Sequence, residues 1–298
     1  ANSSGTNNNY KVALGLSSKV NDDLKFNSRF LVANTAGDFA VTNGMNTQDS
    51  GDANPGVDLS HANFGYTGIK NTTVTVGKQG LTTPWTVALD SDGNEQTGTG
   101  ILAMTTLGQV TLAGAYFNQT NLQTSGQGTS LFNINSAGIL NRNGGQDIAT
   151  AGAITTLGLV TLDAWYVDAQ ETLDSYTVGA KAATEVSGIK LGADARYVSL
   201  TLDKNVATAL VNTLSANGQV EDANSLAKLV LTADAGLIDG KLAYAKTGKD
   251  GGTTALDNDA ATTLLGWTLT SNGKADADYV QAVLGFDILS NLNLSANY

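Results

Sequence analysis

The sequence predicts an all-β chain: a transmembrane antiparallel β-barrel with short turns on one rim and long loops on the other. Two observations carry this. The segments Thr105-Thr-Leu-Gly-Gln-Val-Thr-Leu-Ala-Gly-Ala-Tyr-Phe117 and Thr155-Thr-Leu-Gly-Leu-Val-Thr-Leu-Asp-Ala-Trp-Tyr-Val167 are matching hairpins, each pinched around a Leu-Gly turn. Their residues alternate between apolar and polar with period two, as half-buried strands do. Tight turns and long polar loops then alternate along the whole chain, so all turns fall on one rim and all loops on the other. A sandwich of two sheets has no reason to keep that segregation.

The first hairpin covers residues 10–32 and turns at Asn21-Asp-Asp23. Tyr10, Val12, Leu14 and Leu16 share one face, while Lys11, Ala13, Gly15 and Ser17 share the other. On the return, Phe26, Phe30 and Val32 alternate with Lys25, Asn27 and Arg29. A polar loop (35–56) leads to strands at 57–66 and 72–78, joined through Gly68-Ile-Lys-Asn71. Loop 81–98 precedes the first matching hairpin, and a loop at 119–146 precedes the second. Strands at 175–185 and 189–202 meet at Val186-Ser-Gly188, those at 225–235 and 241–246 at Ile238-Asp-Gly240, and those at 279–288 and 292–298 at Leu289-Ser-Asn291. Residues 206–214 and 262–269 are apolar enough to form short helices or strands inside loops. The total is about fourteen strands of a length that crosses a bilayer when tilted.

Residues 1–298 therefore read as a single barrel domain. Because the layout opens in a loop and stops on an upgoing strand, the first strand and the closing strands are expected to lie outside the chain, giving about 16–18 in the complete protein. Against this, Leu292, Leu294, Ala296 and Tyr298 have the pattern of an aromatic-ended final strand. The polar start at Ala1 is expected to follow a removed leader or a missing beginning.

Composition agrees with a long-laddered β protein. There are 34 Gly but only two Pro, Pro55 and Pro84, and each Pro would delete a ladder donor. With no Cys, neither a disulfide framework nor a thiolate metal site can form. A formal net charge of -11 argues against nucleic acid, which needs a basic stripe. Acidic stretches such as Asp49-Ser-Gly-Asp52, Asp257-Asn-Asp259 and Asp276-Ala-Asp278 read as solvated loops. The mean hydropathy of -0.07 misleads in a barrel, where wet and greasy residues alternate and cancel.

Strand parity names the charges that face the interior: Lys11, Lys25, Arg29, Lys181, Lys190 and Arg196, with Asp163, Asp194 and Asp287. Lys190, Asp194 and Arg196 lie on one face of one strand, which leaves open a purely structural pairing. Lys78 shares the parity of Val74 and Val76, and faces inward only if a bulge near Gly77 resets the phase. In loop 81–98 the candidates are Asp90, Asp92 and Glu95. Arg29 and Lys78 flank the root of this loop, so these five residues are the expected waist. Asp90-Ser-Asp-Gly-Asn-Glu95 offers alternating oxygen ligands, so Asp90 and Asp92 are candidates for calcium, although the spacing of an EF-hand is absent and an ordinary polar turn fits equally. The single histidine, His61, gives no support to a hydrolytic apparatus, and Gly77-Lys-Gln-Gly80 lacks phosphate-loop spacing, so no enzyme is expected. Outward aromatics, among them Tyr116, Tyr166, Tyr176, Tyr197 and Tyr244, suit interfacial girdles against outer-membrane lipid. The small outward residues Ala180, Ala182, Ala193 and Ala195 suit a flat contact between subunits.

At Val76-Gly-Lys-Gln-Gly-Leu-Thr-Thr-Pro-Trp-Thr86 the sequence resembles the major outer membrane porins of the Campylobacter type. Those have a Gly-Lys-Gln strand end, a Thr-x-Trp-Thr entry into the pore-constricting loop and a Gly-Thr-Gly exit, here Gly98-Thr-Gly100. The order of hairpins from 10 to 298 is similar as well. The resemblance implies a trimeric bacterial outer-membrane porin of about 18 strands, with the loop after Lys78 folded inward. It also implies passive diffusion of ions and small hydrophilic solutes, a lean toward cations and a calcium ion near the constriction. A surface-layer or adhesive β protein without a pore is the alternative that composition alone leaves open.

Overall fold

In the computed structural model, residues 9–32, 40–41, 57–90, 93, 95–125, 144–214, 222–267, 269–289 and 291–298 are described. A two-residue ladder pairs β1 (Asn9–Tyr10) with β4 (Ala40–Val41). Among the described residues, the remaining strands join one antiparallel sheet of 14 strands, each paired with its neighbours in the chain. In order they are β2 (Val12–Lys19), β3 (Leu24–Val32), β5 (Val57–Tyr66), β6 (Thr72–Gly80), β7 (Thr97–Leu107), β8 (Val110–Thr120) and β9 (Ile148–Leu157). They continue as β10 (Val160–Ala169), β11 (Leu173–Val186), β12 (Ile189–Leu202), β13 (Ala223–Asp234), β14 (Ile238–Thr247), β15 (Asp278–Leu289) and β16 (Leu292–Asn297). The all-β class read from the sequence is the class observed. β2 and β16 are the two edges of the sheet and are not paired with each other.

The outer face explains why these segments are strands. Leu14, Phe64, Ile101, Leu112, Val178, Leu191, Leu229, Leu242 and Leu284 are exposed large apolar side chains, one after another across the sheet. In water such a surface would be unstable; against hydrocarbon it is required, and ladders on both sides satisfy the mid-strand amides of the strands between the two edges. A Lys or Arg facing lipid at mid-depth costs about 2–4 kcal/mol. Accordingly the charges whose parity puts them on the outer face with the apolar residues, Asp168, Asp174, Lys246 and Asp278, sit at strand ends. Exposed Tyr116, Tyr166, Tyr176, Tyr197 and Tyr244 line the loop-side end of the apolar band. The hydroxyls of Tyr116 and Tyr244 donate to Asp147 and Asp278 at 2.7 and 2.5 Å, which places a polar tip where headgroups begin.

The rims follow the predicted asymmetry with two differences. The matching hairpins turn at Gly108 and Gly158, whose φ of 63° and 60° suits the first position of a two-residue Gly-X turn. The turn between β13 and β14 lies at 235–237, with Gly236 at φ 86°, and the residues read as that turn, 238–240, instead begin β14. On the loop rim, β10 and β11 are joined by only three residues, 170–172. The other connections there are long. One holds α1 (Leu122–Ser125) and another α2 (Lys204–Leu214), so the ambiguous segment 206–214 is helical.

Apolar packing occurs inside the curl as well. Leu81, Trp85, Phe117, Ile148, Val167, Leu200 and Val206 form one dry cluster against the inner face of β8–β12, and Val198, Leu226, Ala243, Ala245 and Leu264 form a second. Both involve loop residues folded into the concave side, which is what shapes the site.

Candidate pore constriction

The connection between β6 and β7, residues 81–96, is strung across the concave face and tied at both ends. At one end Trp85 is fully buried and its Nε1 donates to Ser175 Oγ on β11 at 2.8 Å, while Ser175 Oγ donates onward to the Ser199 carbonyl at 2.7 Å. At the other, Glu95 meets β3: Arg29 Nε and Nη2 both donate to its Oε1, at 3.1 and 2.9 Å. β3 and β11 are seven steps apart in the sheet, about 34 Å if the sheet were flat. The ten residues from Trp85 to Glu95 would reach that far only if fully extended, and instead they fold back through a Leu89–Glu95 bridge. The sheet must therefore be strongly curled, and the loop crosses the hollow it encloses.

Glu95 is the polar hub. Its side chain is 3% exposed, with Lys11 Nζ 3.7 Å from Oε1 and His61 Nδ1 3.9 Å from Oε2. Lys11 also donates to the Gly93 carbonyl, and Asn121 Nδ2 donates to the Glu95 carbonyl at 2.7 Å. Burial pushes the Glu95 carboxyl up, but hydrogen bonds from Arg29 and Ser60 and the charges of Arg29 and Lys11 outweigh it and hold the group below the ordinary carboxylate range. His61 sits where β3 and β5 slip register between Arg29 and Phe30, a bulge that re-aims side chains beside the loop. Lys78 follows Gly77, whose φ of 121° leaves the strand conformation, and a Cβ there would lie 2.4 Å from the Ala62 carbonyl. Lys78 is half-buried, and its charge acts on His61.

A second inward segment, 248–277, locks onto the first. Leu256 N donates to the Trp85 carbonyl at 2.9 Å and Thr262 N to that of Pro84 at 3.1 Å. Gln96, fully buried, donates from Nε2 to Asp257 Oδ2 at 2.5 Å, and Asp257 is fully buried too. Lys228 Nζ on β13 holds the far side of this segment through the Thr263 carbonyl at 2.9 Å.

The remaining candidates fall as follows. Asp90 lies in the first loop and is buried, whereas Asp92 lies outside the described residues. Asp163 on β10 and Arg196 on β12 form a two-pronged pair at 2.9 and 2.6 Å, with Thr177 Oγ1 3.1 Å from the guanidinium. Lys181 pairs with Asp194 at 3.4 Å, and Lys190 with Asp234 at 3.3 Å. Lys190, Asp194 and Arg196 thus share a strand but bind partners on three others. Lys25 is exposed near the turn rim, and Asp287 accepts from Asn293 at 2.8 Å. Among the described residues no group of three His, Asp or Glu side chains gathers around a metal-sized space. The acidic stretches divide: Asp276 and Asp278 are exposed, but Asp257 is buried, contrary to the solvated reading.

Sequence reasoning missed Lys228, Lys241 and the inward fold of 248–277. Parity could have found the first two, since Ala227 and Leu229, and Gly240 and Leu242, bracket them on the outer face. The third was signalled by the apolar and threonine-rich run 260–265, which a solvated loop does not need.

No protein-family model matches the chain, and no curated protein sequence does either. Solved structures do. The chain is similar to Pseudomonas aeruginosa OccK8 (OprE), with TM-score 0.68 and 14% identity over 97% of this chain and 77% of that one. It is similar to OpdL of the same organism, with TM-score 0.66 and 17% identity over 97% and 74%. For OccD3 (OpdP) the TM-score is 0.66 with 14% identity, covering 93% of this chain but only 62% of that one. At such identities the likeness speaks for architecture alone. The antiparallel sheet, with its apolar outer face and inward loop, has the fold of an outer-membrane β-barrel porin.

Proposed function

We propose that the protein is an outer-membrane porin through which ions and small hydrophilic solutes diffuse passively, without catalysis. The observation that carries this is the loop 81–96, tied from Trp85 on one wall to Glu95 on the other, inside a sheet whose outer face is greasy. A tied loop in a curled sheet narrows a water path without closing it, which is what a diffusion waist needs. Two of the similar structures hold small organic acids, vanillate in OpdK and glucuronate in OccK2 (OpdF), in keeping with small-solute traffic here.

Cation preference is part of the proposal. At the loop rim, acids such as Asp147, Asp168, Asp174, Asp203, Asp222 and Asp278 outnumber Lys204, Lys246, Lys249 and Lys274, so the mouth would gather cations before they meet the waist. Kinship with the Campylobacter-type porins belongs to the same reading, resting on the motif at the loop's root. So do a closed barrel of about 16–18 strands, a homotrimer joined through the cross-strand alanine pairs Ala180–Ala195 and Ala182–Ala193, and a calcium ion bound through Asp90 and Asp92.

Planar bilayers test this directly. Discrete conductance steps are expected; their absence would favour a surface-layer or adhesive protein. Neutralising Asp90 and Asp92 together should lower the cation preference and remove any calcium effect on the current, and unchanged reversal potentials would reject the loop as the selectivity element.

A further inference from the structure

His61 is the one imidazole in the chain, and the fold sets it into the wall beside the tied end of the constriction loop. Its side chain is 24% exposed, so it is neither sealed in the wall nor free in water. Facing it are Glu95 from the loop, Arg29 from β3 and Lys78 from β6, while Lys11 reaches the same carboxylate from the residue before β2. Gly80, the last residue of β6, lies close to the ring: a Cβ there would be 3.4 Å from His61 Nε2.

The hydrogen bonding around the ring accommodates either protonation state. Ser60 Oγ lies 3.0 Å from His61 Nδ1 and 3.3 Å from the Arg29 carbonyl oxygen. With a neutral ring the hydroxyl can donate to Nδ1. With an imidazolium, Nδ1–H donates to Ser60 Oγ, and the hydroxyl proton turns to the Arg29 carbonyl. Gaining a proton therefore breaks no contact; it adds charge.

We propose that His61 is a specificity-determining residue of the waist: on acidification it adds a fourth fixed cation beside the single carboxylate of Glu95 and turns ion preference toward anions. This rests on the porin reading. Glu95, held below the ordinary carboxylate range, keeps its charge over this change, and imidazole is the side chain whose charge is set by mild acid.

The test is the reversal potential of the whole protein in bilayers under a KCl gradient at pH 7.5 and pH 4.5, the lower value being chosen because burial, Arg29 and Lys78 oppose the added proton while Glu95 favours it. The wild-type potassium-to-chloride permeability ratio should fall by roughly two- to fivefold on acidification, the effect of one charge at several ångström in water. His61→Gln should show no such step, and His61→Arg should hold the acid-like ratio at both pH values. A conducting wild type with a flat ratio, or a Gln variant that keeps the full step, overturns the proposal while leaving the porin reading intact. Absence of conductance in the wild type would instead remove the porin reading.

Discussion

At the scale of single residues, the waist turns on how Glu95 is used. Its carboxylate is consumed by Arg29 and Lys11, so it acts first as an anchor and only second as a field source. A group whose folded pKa is depressed contributes stability that is fully present above its unfolded value, about 4.3, and lost as pH falls through the lower folded value. The loop should therefore remain seated at pH 5 and loosen only below about pH 4. Single-channel current noise between pH 6 and pH 3 reads this, with Glu95→Gln expected to be noisy throughout; a quiet Gln variant would show that Glu95 is no anchor. Strand parity in the sequence was enough to send Arg29, Asp163 and Arg196 inward. It could not name their partners, because Arg196 finds Asp163 two strands away through register and turn lengths that no single strand encodes. Lys78 was ambiguous for a related reason: one residue of unusual φ at Gly77 disturbs the alternation on which parity depends.

Among the elements, the loop 81–96 is a strap with unlike ends, dry at Trp85 and ionic at Glu95. Trp85 carries the stronger hold, being fully buried among Leu81, Phe117 and Val167 with its indole N–H satisfied. Replacing it by Ala should cost about 3–5 kcal/mol, drawn from the loop's seating rather than from the ladders, which hold independently. The expected outcome is a larger single-channel conductance with unchanged β content by circular dichroism; equal conductance would mean that the Gln96–Asp257 and Pro84–Thr262 bonds suffice to keep the loop in place. The strands were legible because lipid imposes period two on every one of them. The second inward segment was not, because only half of what seats it is local: Asp257 accepts from Asp259 N at 2.8 Å within its own turn, but also from Gln96 in the first loop, a partner that no stretch of sequence announces. In sequence, a buried Asx turn and a solvated one look alike.

For the whole molecule, the question is where a net charge of -11 is felt. The alternation of short turns and long loops made the architecture readable before any contact was known, and it also places many acids on the loop rim, far from the waist. Fields from exposed rim carboxylates are screened over about 10 Å at 0.1 M salt and about 3 Å at 1 M. Charges at the waist, half-buried beside Glu95, are screened far less. Under the proposed porin function the two contributions can be separated by ionic strength: the rim would favour cations, whereas Lys11, Arg29 and Lys78 would oppose them. Reversal potentials under the same concentration ratio should show clear cation preference near 0.1 M KCl and little or none near 1 M. A preference that holds unchanged across that range would place the selectivity element at the waist and leave the acidic mouth without a role in it.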